Sequence, residues 1–223
     1  MMGIIIALLI ILLWLWHLVY AFINIKPDLL SVSFYIHVLI QAYMYTGLFI
    51  TAHDAMHGTV SRNRGVNHAF GILSLFLFAG MNYNEIVKSH YLHHKYPGKA
   101  EDPDFTTGSQ NFFAWWFKFM RGYVTIMQLI IMAVVFNLLN LWISQPKLFA
   151  FWIIPAFLST LQLFYFGTYI PHMYPHTEDM KPHNSRTQLK NHLVAMLSCY
   201  FFGYHREHHD SPGTPWWKLY QLK

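Results

Sequence analysis

Fifteen of the 223 residues are histidine, and eight of them fall into three clusters: His53-Asp54-Ala55-Met56-His57, His90-Tyr91-Leu92-His93-His94 and His205-Arg206-Glu207-His208-His209. Residues three and four apart share one face of a helix, so each cluster can aim two or three imidazoles at one point. Imidazole is the commonest metal ligand among side chains. A lone histidine is ordinarily a core or surface residue, but composition alone does not gather eight in spaced clusters. Structural zinc takes four ligands, and catalytic zinc three plus water. Eight imidazoles exceed one ion and imply two. Iron, copper, zinc and nickel all suit imidazole, so these residues by themselves leave the metal open.

The elements that must carry the clusters are membrane helices. Only 11% of the chain is charged and 55% is hydrophobic, against about 25% charged in soluble domains. Four stretches reach the roughly 20 residues that cross a bilayer: Gly3–Ile25, Val32–Ala52, Tyr123–Ile143 and Leu148–Ile170. The first lacks a basic lead and a small-residue cleavage site, so it reads as a retained span, not a signal peptide. Ala69–Met81 and Leu193–Phe202 are too short to span. Pro27 and Pro146 fall in short connections, where helices should end. A single cysteine, Cys199, excludes an internal disulfide. The expected fold is an all-α integral membrane domain over residues 1–223, with four transmembrane helices and a cap bearing the three clusters.

Lys26 and Lys147 lie in the two short hairpins, and the other thirteen basic residues lie on the opposite side. The positive-inside rule makes that side cytoplasmic, with both termini and the cap on it. Nine of the ten acidic residues share that side, so the net charge of +5 reflects topology and not a nucleic-acid surface. A membrane transporter would place its ligands near the midplane, whereas these clusters sit at one end.

The boxes HxxxH, HxxHH and HxxHH resemble those of the membrane fatty-acid desaturase and hydroxylase superfamily. HDAMHGTV at His53–Val60, YPGKAEDPDF at Tyr96–Phe105, GTYIPH at Gly167–His172, FGYHREHH at Phe202–His209 and the trailing PWW at Pro215–Trp217 narrow the resemblance to the bacterial β-carotene ketolases. It runs from roughly Leu30 onward. Phe201 departs from the histidine that many ketolases carry there. The resemblance implies a non-haem di-iron centre using O2, with electrons from reduced ferredoxin or a similar cytoplasmic donor. It also implies oxidation of C4 of β-carotene to the ketone in a bacterial inner or thylakoid-type membrane. A hydroxylase and an acyl-lipid desaturase would share the centre. The implied ligands are His53, His57, His90, His93, His94, His205, His208 and His209, with His172 of GTYIPH as a ninth.

Ligating histidines usually donate their second N–H to a carboxylate or carbonyl. Asp54, Asp102, Asp104 and Glu207 are the candidates, and Asp102-Pro103-Asp104 also reads as a capping turn. Asp54 is the strongest, because a carboxylate beside a span is costly without a role. His176 reads as a loop residue. For His183 a place beside the centre and a surface loop both stand. His17, His37, His68 and His192 read as structural, with His17 and His37 able to bond between helices. Trp115, Trp116, Trp216 and Trp217 are expected in the interfacial belt.

Overall fold

The computed structural model describes residues 1–223 and contains helices but no strands. In chain order the helices are α1 Met2–Asn24, α2 Val32–Met56, α3 Arg64–Ala79, α4 Tyr83–Lys95, α5 Phe112–Tyr123, α6 Ile126–Leu139, α7 Gln145–His172, α8 His192–Cys199 and α9 His205–Asp210. Three of them (α1, α2 and α7) are long and apolar enough to cross a bilayer. Two further pairs pass the same test only as bent units: α3 with α4 at 100° and α5 with α6 at 87°.

The stretch expected as a third span, Tyr123–Ile143, begins differently. Val124 and Thr125 are extended, and Thr125 starts α6 with a capping box. Its hydroxyl accepts from the Gln128 N–H at 3.1 Å, and the Gln128 side chain accepts from the Thr125 N–H at 3.4 Å. Those bonds satisfy donors that continuation from α5 would otherwise have used. The resulting 14-residue helix is about 21 Å long, short of a full crossing.

α2 is central, packed against α1, α3 and α7. α7 runs unbroken through Pro155 and Pro171 because each proline follows a π-helical turn, at Phe149–Ile153 and Tyr165–Tyr169. A wider turn accommodates the missing N–H and the ring. At one end, the Lys147 ammonium donates to the Phe22 carbonyl at 2.5 Å, which ties the last turn of α1 to the first turn of α7. At mid-depth His17 lies 2.5 Å from the Gln41 amide oxygen and 3.1 Å from His37, a bond between α1 and α2. Trp115 and Trp216, expected in the interfacial belt, do not present their rings to the surroundings. Both are buried, and the Trp115 indole N–H donates to the Asp104 carbonyl at 2.8 Å.

Gly167 permits the closest helix-to-loop approach: a Cβ there would lie 2.2 Å from the Phe202 ring. That ring stands 5.0 Å from His53 and 5.3 Å from His205, between the clusters. Gly167→Ala should cost about 1–3 kcal/mol by overpacking, read as a lower unfolding midpoint in detergent. Adding Phe202→Leu should return part of the loss. A wild-type midpoint for the single variant would refute the close approach.

Candidate metal centre

The three clusters meet at one end of the bundle, but each does not aim at a single point. Donor nitrogens of His53, His57, His90, His94 and His208 lie within 4.8 Å of one another, and those of His93, His172, His205 and His209 form a second group on the same criterion. Helical spacing explains the division. The i,i+4 pairs 53/57, 90/94 and 205/209 each stay together, while the residue at i+3, His93 or His208, turns to the other group. The second box therefore contributes two imidazoles to the first group and one to the second, and the third box does the reverse. The groups are contiguous, with the His94 and His209 rings 4.5 Å apart.

The donor atoms fit ions. His93 Nε2 lies 3.1 Å from His209 Nε2 and 3.4 Å from His205 Nε2, and the last two are 3.1 Å apart. In the first group His94 and His208 Nε2 are 3.0 Å apart, and His57 and His90 Nε2 2.6 Å. An ion holding nitrogen at 2.0–2.1 Å spaces neighbouring donors about 2.9 Å apart in octahedral and about 3.4 Å in tetrahedral coordination. His53 Nε2 and His172 Nε2 are buried with no hydrogen-bond partner, a costly arrangement unless a ligand takes the lone pair. Burial, reinforced by neighbouring imidazoles, holds His205, His208 and His209 well below the ordinary histidine pKa, and burial pushes His57 down to about 4. All four are neutral at pH 7, the form that binds metal.

The supporting bonds are unevenly shared among the expected carboxylates. Buried Asp102 accepts from His93 Nδ1–H at 2.9 and 3.0 Å, which leaves the His93 Nε2 lone pair facing its group. Asp102 is itself held by the N–H groups of Gly98 at 2.9 Å and Asp104 at 2.9 Å. Gly98 adopts φ +65°, a left-handed conformation that suits glycine. Asp104 lies 3.8 Å from His93 Nδ1, accepts from the Tyr123 hydroxyl, and is pushed up to about 6 by burial. Asp54 and Glu207, expected against imidazoles, go elsewhere. The Asp54 carboxylate accepts from the Trp216 N–H at 3.3 Å and so caps the C-terminal turn. Glu207 accepts from the Thr187 hydroxyl at 2.6 Å and lies 3.7 Å from the Lys223 ammonium.

Asn184 was not singled out from the sequence, although the segment around it was. Its carbonyl accepts from His172 Nδ1–H at 3.0 Å and its amide donates to the Pro97 carbonyl at 3.1 Å. Neighbouring His183 stacks on His209 at 5.3 Å and lies 3.1 Å from Asp210. His176 donates to the His172 carbonyl at 2.8 Å. This strap aims His172, the one member of the two groups that lies outside the three boxes. Against the first group lies an apolar cavity of about 100 Å³, walled by Phe49, Met56, Phe78 and Ile86 and ending on His53, His90 and Asp104.

Comparison with known proteins agrees with this geometry. The model of the fatty acid desaturase family matches residues 30–134 and 121–223. A zeaxanthin 4-ketolase of Chlamydomonas reinhardtii is 42% identical over 183 residues, 79% of this chain and 41% of its own. A beta-carotene ketolase of Paracoccus sp. (strain N81106 / MBIC 01143) is 37% identical over 180 residues, 79% of this chain and 74% of its own. A beta-carotene 4-ketolase 3 of Haematococcus lacustris is 36% identical over 191 residues, 81% and 59%. The chain thus spans less than half of the first algal relative. No solved structure matches it significantly.

Because Asp102 fixes the ring of His93, Asp102→Ala should weaken metal retention about 10–100-fold, measured by elemental analysis during chelator titration. Glu207→Gln, which touches no imidazole, should retain metal like the wild type. Equal retention in both variants would remove Asp102 from the centre.

Proposed function

The chain belongs to the fatty acid desaturase family, and on that premise we propose that it oxidises the C4 methylene of the β-carotene rings to a ketone, giving echinenone and then canthaxanthin. The observation that carries this reading is the apolar cavity that ends on His53 and His90. A lipid-soluble hydrocarbon ring can lie in such a space, and an acid or sugar would lose its hydration there. Relatives named as ketolases at 36–42% identity support the substrate class.

His53, His57, His90, His94 and His208 would hold one iron, and His93, His172, His205 and His209 the other. When bound, the iron pair supplies O2 activation for hydroxylating a C–H bond, with electrons from reduced ferredoxin or a similar donor on the cytoplasmic side. Asp102, and Asp104 behind it, hold the His93 ring in one tautomer. Phe49, Met56, Phe78 and Ile86 keep water from the reacting carbon, and His53 and His90 set where that carbon stops. Two successive hydroxylations at C4 give a gem-diol, which loses water to the ketone. The alcohol's remaining C–H is allylic and oxygen-bearing, hence weaker than the first, so an alcohol kept in place is attacked again.

The membrane reading is one domain over residues 1–223 with four crossings: α1, α2, α6 with the turns that follow it, and α7. Both termini and the metal centre face the cytoplasm of a bacterial inner or thylakoid-type membrane, with lipid around the bundle. The distribution of basic residues supports it.

Purified protein supplied with iron, ferredoxin and O2 should convert both β-carotene and its 4-hydroxy derivative to the 4-ketone, with the alcohol transient in time courses. Accumulated 3-hydroxy product, with the 4-alcohol untouched, would make the protein a hydroxylase. A cysteine placed at Lys99 or Lys181 should be labelled only from the cytoplasmic side, and one at Lys26 only from outside. Labelling of Lys99 and Lys181 from opposite sides would contradict the topology.

A further inference from the structure

The cavity against the metal centre is the inner of two lobes. A second lobe of about 530 Å³ lies between α6 and α7, walled by side chains such as Leu129, Met132, Phe136, Trp152 and Phe157. Both lobes are bounded by Phe78, Ala79, Met120, Val124, Gln128 and Thr160, so they abut at those residues. The outer lobe exists because α6 stands off from the bundle, its backbone closely packed on no other helix. Phe136 bridges the far end, 5.5 Å from the Phe149 ring and 6.4 Å from Trp152. On the outside, Leu129, Val134 and Phe157 are exposed apolar side chains, where lipid would lie against α6 and α7.

We propose that the gap between α6 and α7 is a lateral portal through which a rod-shaped apolar substrate enters from the bilayer ring-first. The cyclic end would lie in the inner lobe and the first half of the polyene in the outer one. The proposal rests on the functional reading above and adds the route and the residues. Length supports the rod. The outer lobe follows α6 from Gln128 to Asn137, nine residues or about 14 Å of helix, and the inner lobe continues it to the histidines. A ring with a short tail would fill the inner lobe alone, whereas a long conjugated chain needs both. The 87° break at Val124 and Thr125 matters here, because a continuous α5–α6 helix would carry Val124 and Gln128 away from the junction.

The test uses two obstructions of the outer lobe, Ala133→Phe on α6 and Ala156→Phe on α7, each judged folded by unchanged metal content. Ala133 is exposed, so the first variant should fold even if the second does not. Carotene co-purifying with the protein should fall about tenfold or more in both, tenfold being about 1.4 kcal/mol of lost binding. Oxidation of β-ionone, a ring with a short tail, should stay near the wild-type rate. Carotene retention at the wild-type level in the obstructed variants would overturn the portal. So would release of a tightly held phospholipid by the same substitutions with carotene retention unchanged, which would make the lobe a lipid site. If wild-type protein retains carotene in an obstruction-sensitive way but yields no ketone, the reaction assigned above fails and the portal stands.

Discussion

A neutral imidazole carries one N–H and one lone pair, so where many Nε2 atoms converge in a buried space most lone pairs meet no proton. Nε2 atoms in these two groups approach to 2.6–3.4 Å, and two more have no partner at all. Each unsatisfied buried group costs about 1–3 kcal/mol, and a whole protein is stable by only about 5–15 kcal/mol. Cations at the two points would remove that cost at once and so would tie the fold to metal binding. The surrounding architecture serves the convergence. α2 carries the first pair at the centre of the bundle, the sharp turn into α4 brings the second cluster across, and the strap through Asn184 aims His172 from the side.

Position in the bilayer and chemistry meet in the α5–α6 break. Tyr123, the last residue of α5, bonds Asp104, and Trp115 in the same helix bonds the carbonyl of that residue. The helix that bounds the cavity is thereby anchored to the loop that orients His93. A shift of α5 would therefore be felt at the metal as well as at the cavity wall, because packed interiors transmit displacement instead of absorbing it.

Much of the centre was legible because helical spacing and composition speak directly. The eight box histidines come together as span order implies, His172 joins them where the resemblance expected a ninth, and the apolar stretches mark α1, α2 and α7. The division of each box between two groups was not read, although it follows from the i+3 residue lying round the helix from the i,i+4 pair. Thr125 and Gln128 form a T-x-x-Q capping signature that a hydropathy average over Tyr123–Ile143 conceals. Asp54 illustrates the opposite error. Its proximity in sequence to His53 suggested a shared task, but side chains next to one another on a helix point in different directions, and Asp54 turns to the C-terminal segment. Trp115 looked interfacial by type alone, since burial depends on what packs over a helix and one chain's composition does not state that. Asn184 acts through its backbone carbonyl at His172, a role that residue identity hardly encodes.

The crossed sharing of the second and third boxes has a consequence for assembly. Each ion draws on α4 and α9 together, since His93 joins His205 and His209 while His208 joins His90 and His94. A cation entering one group would therefore order both helices, and a cation entering the other would find its ligands already placed. Ordering entropy is then spent chiefly once, so uptake should be steeply cooperative, with half-loaded chains scarce at any metal concentration.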